Sequence, residues 1–232
     1  MKAIAVLLCL ACCATDAFAQ AFALAQLERS PRHHEWVEVP AGDRTVHAFV
    51  AYPEQAQDTP AVLVIHENRG LTDWVRSFAD QLAAAGYLAV APDLLSGFDS
   101  LHARTGDFAS SDAAREALYR LDDAQVVDDL HAVRAFAAGL PASNGEVAVV
   151  GFCWGGSQAF RFATHSDDIA AALVFYGSAP QDTARIAAVE VPVYGFYGED
   201  DQRINATIPE TEARMARHDK VYDYEIYEGA GH

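Results

Sequence analysis

Residues 61–65 read A-V-L-V-I, an unbroken apolar run that suits a strand buried on both faces. Residues 146–150 (E-V-A-V-V) share that character. Residues 46–52, 87–91, 170–176, 191–196 and 221–227 predict further strands, the first ended by Pro53 and the second by Pro92-Asp93. Between the strands the period changes. Residues 73–85 set Trp74, Val75, Phe78, Leu82 and Ala85 at helical spacing and close on Gly86. A helical stretch over 111–140 starts behind Ser110 or Ser111, breaks near Asp122-Asp123, and stops at Gly139-Leu140-Pro141. Two more helices are predicted, one from the end of the 146–150 strand to about residue 164 and one over 208–217. Residues 20–35 are polar and mixed and read as a leader into the domain. His33-His34 within it reads as a solvated pair, because no second ligand cluster accompanies it. Strands alternating with helices, without repeat or linker, predict one domain built on a parallel, doubly wound sheet covered on both faces.

Composition narrows the partners. Of 232 residues, 51% are hydrophobic and 21% charged, enough for a sizeable single core. A formal net charge of −17 disfavours nucleic acid and anionic membrane surfaces, and means that an anionic substrate needs a local Arg or Lys. The N-terminus reads as a secretory signal: Lys2, an apolar stretch over 3–13 too short to span a bilayer, then Ala17-Phe18-Ala19 before a cut after Ala19. A secreted or periplasmic location follows. A lipoprotein anchor through Cys12 or Cys13 is less favoured, since neither has a suitable set of small residues before it. No other segment is long and apolar enough for a membrane helix. Cleavage removes Cys9, Cys12 and Cys13 and leaves Cys153 without a disulfide partner, either an inert buried thiol or a reactive one.

Its neighbours choose between these. Gly151-Phe152-Cys153-Trp154-Gly155-Gly156 follows a strand directly and opens a helix, the strand-turn-helix setting of a nucleophile elbow. The turn needs residues without side chains two before and two after the nucleophile, and it aims a helix N-terminus at the thiol, which favours a thiolate. A base and an orienting acid are then required, in the chain order nucleophile, acid, histidine. The loop after residues 191–196 offers Glu199, Asp200 and Asp201. Of nine histidines, His66 and His232 lie just past a predicted strand end. The loop His66-Glu67-Asn68-Arg69-Gly70 is placed to supply one oxyanion amide beside that of Trp154. Glu67 is unusual there, because its charge opposes a developing oxyanion unless it pairs with the resting cysteine and moves off when substrate arrives.

From about residue 45 to the end the chain resembles the dienelactone hydrolase (carboxymethylenebutenolidase) family, through H-E-N-R-G, A-G-Y-L-A-V-A-P-D-L, G-F-C-W-G-G, G-E-D-D-Q-R-I and E-G-A-G-H. The resemblance implies an α/β-hydrolase fold with Cys153 as nucleophile and His232 as base. It selects Asp201 over Asp200 as acid, because Ile204 sets the register. It implies Glu67 as the partner of the resting thiol, with oxyanion amides from Asn68 and Trp154. Family members acting on dienelactone hold its carboxylate with two arginines. Arg115-Glu116-Ala117-Leu118-Tyr119 matches the R-E-x-x-Y setting of one, a few residues short in spacing, which makes Arg115 a carboxylate anchor as against a solvated helix arginine. Arg69 is a second substrate-binding candidate. The family continues past its histidine into a final helix, so residues 20–232 are expected to form a C-terminally truncated domain, an α/β-hydrolase fold lacking that helix, with part of the sheet open. The expected function is thiol-dependent hydrolysis of a small ester or lactone without metal or organic cofactor, since H-E-x-x-H, a phosphate-cradling glycine loop and C-x-x-C are absent. The rival is a non-catalytic binding protein on the same fold. A thiol-redox role is disfavoured by the lack of a resolving cysteine. The oligomeric state is not specified by the sequence.

Overall fold

The computed structural model describes residues 20–55 and 57–232; the secretory signal predicted over 1–19 lies outside them. The run at 61–65 lies in a strand, β3 (Thr59–Ile65), whose alternate residues enter two cores. Ala61, Leu63 and Ile65 point to one face of the sheet, and Val62 and Val64 to the other. Its neighbours do the same: in β4 (Leu88–Pro92) Leu88 and Val90 oppose Ala89 and Ala91, and in β5 (Ser143–Phe152) Val147 and Val149 oppose Val150 and Phe152. Burial on both faces is why these strands read as continuous rather than alternating apolar text.

The sheet is completed by β1 (His34–Ala41), β2 (Arg44–Ala51), β6 (Ala172–Phe175), β7 (Val193–Gly198) and β8 (Tyr222–Tyr227). The strand order is β1-β2-β4-β3-β5-β6-β7-β8; β1 and β2 run antiparallel to their neighbours, and all other pairings are parallel. One face is covered by α1 (residues 20–29) and α2 (Asp73–Ala84). The other carries α4 (Asp123–Gly139), α5 (Trp154–Ala163) and α8 (Ile208–Arg217). Beyond β6 no described helix lies on the α2 side, and Tyr194 of β7 is 38% exposed there. The predicted break at Asp122-Asp123 is real. It separates α3 (Ser111–Leu118) from α4, with Ser110 accepting from the Ala113 amide and Asp122 from those of Ala124 and Gln125.

Four elements differ from the sequence reading. Residues 20–35 are not a loose leader: α1 buries Ala23 and Leu27, four residues apart on one helix face, and β1 begins at His34. Two short helices, α6 (Thr183–Ala187) and α7 (Gln202–Asn205), were also unanticipated. Nor is His34 a solvated residue. Its Nε2 lies 2.7 Å from Asp80 Oδ1, where the Ser30 hydroxyl (2.6 Å) and the Arg32 guanidinium (2.6 and 2.7 Å) also converge. Burial alone would raise the Asp80 carboxyl; hydrogen bonds from Arg32, Ser30 and His34 and the Arg32 charge outweigh it and hold it down at about 2. A segment with little apolar text is thus tied to α2 by charge-assisted hydrogen bonds.

The parallel strands β3 to β8 share one carboxyl edge. The loops that leave β3, β5, β6, β7 and β8 there begin at His66, Cys153, Tyr176, Glu199 and Glu228, and the candidate catalytic residues Glu67, Cys153, Asp201 and His232 lie on them.

Candidate active site

Cys153 sits between β5 and α5 at φ 54°, ψ −114°, a backbone conformation that a non-glycine residue adopts at a cost on the order of 1–3 kcal/mol. Close approach enforces the glycines around it. A Cβ on Gly151 would lie 2.0 Å from the Gly155 carbonyl oxygen, and one on Gly155 would lie 2.3 Å from that of His66. The elbow is therefore pressed directly onto the loop after β3, and the Trp154 amide faces the thiol. The expected pull of the helix N-terminus toward a thiolate is present but outweighed. Burial pushes the Cys153 thiol up, the charges of Glu67 and Asp201 add to this, and the Trp154 amide and the Arg203 charge only partly oppose it. The balance favours the neutral thiol over the thiolate.

The expected base faces it. His232 Nε2 is 3.1 Å from Cys153 Sγ, and His232 Nδ1 is 2.5 Å from Asp201 Oδ2. With Nδ1–H donating to the carboxylate, the Nε2 lone pair is directed at the thiol proton. The loops are interlaced to hold this line. The Glu199 amide donates to the Tyr227 carbonyl (3.0 Å), the Asp200 amide to that of Ala230 (2.9 Å), and the Gly229 amide to Glu199 Oε2 (3.0 Å). A Cβ on Gly198 would stand 2.3 Å from the Gly231 carbonyl, so the histidine loop can seat on β7 only over a glycine. This settles how the three acids are placed. Glu199 braces the histidine loop, Asp200 is exposed, and Asp201 is buried against His232 while its Oδ1 accepts from the Ile204 amide at 3.2 Å. Burial would raise the Asp201 carboxyl, but the hydrogen bonds from His232 and Ile204, with the charges of His232 and Arg203, hold it below the usual carboxylate range.

His66, the other strand-end histidine, has a different task. It is fully buried, Nδ1 lies 2.8 Å from the Glu67 carbonyl, and Nε2 accepts from the Leu94 amide at 3.2 Å. Burial lowers its pKa, so it is a neutral imidazole protonated on Nδ1. Its ring stacks on Trp154 with centroids 5.5 Å apart, which couples the 66–70 loop to the first residue of α5. Thr105, held by Asp93, accepts from the Leu71 amide at 3.0 Å and fixes the far end of that loop. Glu67, Asn68 and Arg69 are half-buried along it.

Arg115 is not brought to this cluster. It stands exposed on α3, 3.2 Å from Asp112 one turn earlier, and makes no hydrogen bond or ion pair with Cys153, His232 or Asp201. The carboxylate anchor assigned to it by resemblance has no support in its position; a pair at i,i+3 on a solvated helix face accounts for it. Two residues at the site escaped the sequence reading. Arg203, in α7, is near enough for its charge to reach both Cys153 and Asp201. Tyr176, the first residue past β6, has φ 41°, lies against the His232 ring at a tilt of 57° with centroids 4.9 Å apart, and directs its hydroxyl to Glu67 Oε1 at 3.4 Å. Its only sequence signal is its position at the carboxyl end of a parallel strand. Among the described residues, no group of three or more His, Cys, Asp or Glu is placed to hold a metal ion, and no helix is long and apolar enough to cross a membrane.

The sequence profile of the dienelactone hydrolase family matches residues 46–232. The chain belongs to the dienelactone hydrolase family. A relative from Methylorubrum extorquens, provisionally named a carboxymethylenebutenolidase, is 31% identical over 211 residues, covering 84% of this chain and 70% of its own length. A protein of the same provisional name from Escherichia coli K12 is 30% identical over 213 residues, covering 85% of this chain and 76% of its own. A crystal structure from Klebsiella pneumoniae, provisionally described as a dienelactone hydrolase, superposes with a TM-score of 0.76 at 24% identity over 87% of each chain. That likeness concerns the fold, which is the α/β-hydrolase fold. As a dienelactone hydrolase family member, the chain is a hydrolase.

Proposed function

We propose that the chain hydrolyses small carboxylic esters or lactones through a thioester, with Cys153 as nucleophile, His232 as base and acid, and Asp201 orienting the imidazole. One observation carries this reading: the unbroken line from Asp201 through His232 to Cys153, in steps of 2.5 and 3.1 Å. His232 Nε2 takes the thiol proton as Sγ attacks the carbonyl carbon. The carbonyl oxygen becomes negative and meets the amides of Trp154 and Asn68; losing one such donor costs roughly 10²–10³-fold in rate. Collapse of this species breaks the C–O bond, and His232 returns the proton to the departing alkoxide. Water, giving a proton to His232, then attacks the thioester, releases the acid and restores the thiol. Glu67 is a competing acceptor for the resting thiol. The names of the two relatives support an ester or lactone as substrate, and Arg69 and Arg203 are local cations that can draw an anionic one against the net charge of −17. The catalytic groups and one water supply every proton and electron pair, so the cycle calls on no metal or organic cofactor.

Intact-mass analysis after rapid acid quench of a p-nitrophenyl acetate reaction is expected to show one acetyl group, mapped to Cys153. A protein that turns over without ever carrying an acyl group would end the thioester reading. We also propose export to the periplasm or medium, supported by Lys2, the apolar residues 3–13 and Ala17-Phe18-Ala19. N-terminal sequencing of the exported protein should begin at Gln20; retention in the cytosol with an intact N-terminus would refute it.

A further inference from the structure

We propose that Tyr176 is a positioning residue that holds the Glu67 carboxylate away from the nucleophile and so leaves Cys153 paired with His232. The inference rests on the thiol-hydrolase reading and adds a residue to it. Five elements converge on the thiol: Glu67 from the loop after β3, the Trp154 amide from α5, Tyr176 from the end of β6, Asp201 and Arg203 from beyond β7, and His232 from beyond β8. Two of these can accept the single thiol proton. His232 does so productively at 3.1 Å. Glu67, whose charge reaches Sγ, would hold the proton on sulfur and break the line to Asp201. Which acceptor wins depends on what occupies the carboxylate.

The tyrosine is placed to occupy it. Its hydroxyl donates to Glu67 Oε1 at 3.4 Å, while its ring lies against the His232 imidazole, centroids 4.9 Å apart at 57°. One side chain thus touches both competitors for the proton. Burial, and then the nearby Glu67 and Cys153 charges, push the hydroxyl well above the ordinary tyrosine range, so it remains a donor wherever the enzyme works. The backbone is committed to this placement. Tyr176 sits at φ 41° with its amide donating to the Phe196 carbonyl at 2.8 Å, and a Cβ on the following Gly177 would lie 2.4 Å from the α5 backbone at Gly156 and Ser157. A non-glycine residue in the left-handed region at a site edge is where strain and function coincide. An aromatic serving only as packing needs neither the hydroxyl nor its contact with a carboxylate.

Tyr176→Phe keeps the ring on His232 and removes only the donor. Iodoacetamide alkylation of Cys153, followed against pH without substrate, is expected to slow about tenfold near neutrality and to shift its midpoint up by about one pH unit, the worth of one lost hydrogen bond. In ester hydrolysis kcat should fall by a similar factor with KM nearly unchanged. The deciding measurement is the cycle with Glu67→Gln: in that background Tyr176→Phe should change the alkylation rate less than twofold, because no charged competitor remains. An equal loss in both backgrounds would reduce Tyr176 to packing and overturn the proposal, as would an unshifted alkylation profile in the single variant. Alkylation needs no turnover, so its outcome stands apart from the acetyl-trapping test. A cycle that holds while no thioester forms would keep the positioning role and discard the hydrolase mechanism.

Discussion

Replacing Cys153 with alanine is expected to lower p-nitrophenyl acetate hydrolysis by at least about 10³-fold, with the melting temperature nearly unchanged. The size follows from what the thiol does and what remains without it. In triad enzymes, removal of the nucleophile alone costs nearly as much as removal of the whole triad, because its members act as a unit. Here burial favours the neutral thiol, and in the proposed cycle it becomes a nucleophile as His232, 3.1 Å away, takes its proton. Alanine leaves His232 oriented by Asp201 and leaves the amides of Trp154 and Asn68 in place, so a slow, base-assisted attack by water persists as residual activity. Serine at 153 should recover little of the loss, since its hydroxyl is far less acidic than a thiol and this site is arranged around sulfur at 3.1 Å from Nε2. The fold should tolerate the alanine. Its Cβ is the one already present, and the close contacts of the elbow are made by Gly151 and Gly155. Activity within tenfold of the parent in the alanine variant would remove Cys153 from the mechanism.

How much of this was legible in the sequence depended on what each residue packs against. β3 and β5 were readable because both faces are buried, which turns a strand into continuous apolar text, and the elbow was readable because glycine is the only residue that fits its contacts. β1 and α1 were not. α1 buries only Ala23 and Leu27, and β1 only Val39, too few apolar positions to mark an element in the sequence, and the polar knot about Asp80 that ties the segment down has no periodic signature. Asp80 lies nearly fifty residues from its partners, and such pairings are set by the tertiary fold.

The site divides in the same manner. Cys153 and His232 are candidates by their places after strands, and the fold sets them 3.1 Å apart. The acid did not follow from its loop, where three carboxylates stand in succession. Only the interlacing of residues 199–200 with 227–230 turns Asp201 inward and assigns Glu199 to the Gly229 amide. Local motif matching also did not foresee the position of Arg115, because R-E-x-x-Y says nothing about which face of α3 turns outward, and Asp112 one turn earlier is a ready partner. Tyr176 was hidden for the opposite reason. An aromatic after A-L-V-F reads as more core, and its positive φ, which aims the ring at His232 and the hydroxyl at Glu67, is a property of the backbone alone.

Asp201→Asn carries the second large effect, an expected fall of about 10²–10³-fold in kcat/KM at neutral pH, less than the roughly 10⁴-fold of the corresponding change in a serine protease, because a thiol asks less of its base. The argument is one of tautomers. Asp201 now accepts twice, from the Ile204 amide through Oδ1 and from His232 Nδ1–H through Oδ2. Asparagine has one carbonyl oxygen for these two donors. If that oxygen stays with Ile204, the amide NH₂ faces Nδ1, so the imidazole proton moves to Nε2 and points at the sulfur, and the base is lost. The pH dependence has a definite sign. The Asp201 carboxyl is held below its ordinary value in the folded chain, so its stabilising contribution is complete above the unfolded value of about 3.9 and is lost as pH falls through the depressed folded value. The stability difference between parent and variant, read from urea midpoints, should therefore be constant near neutrality and close under acid, whereas the kinetic defect should persist across the whole neutral range. A variant with full activity and a stability gap that does not change with pH would show that Asp201 neither orients His232 nor stays ionised against it. The triad would then reduce to a cysteine–histidine pair.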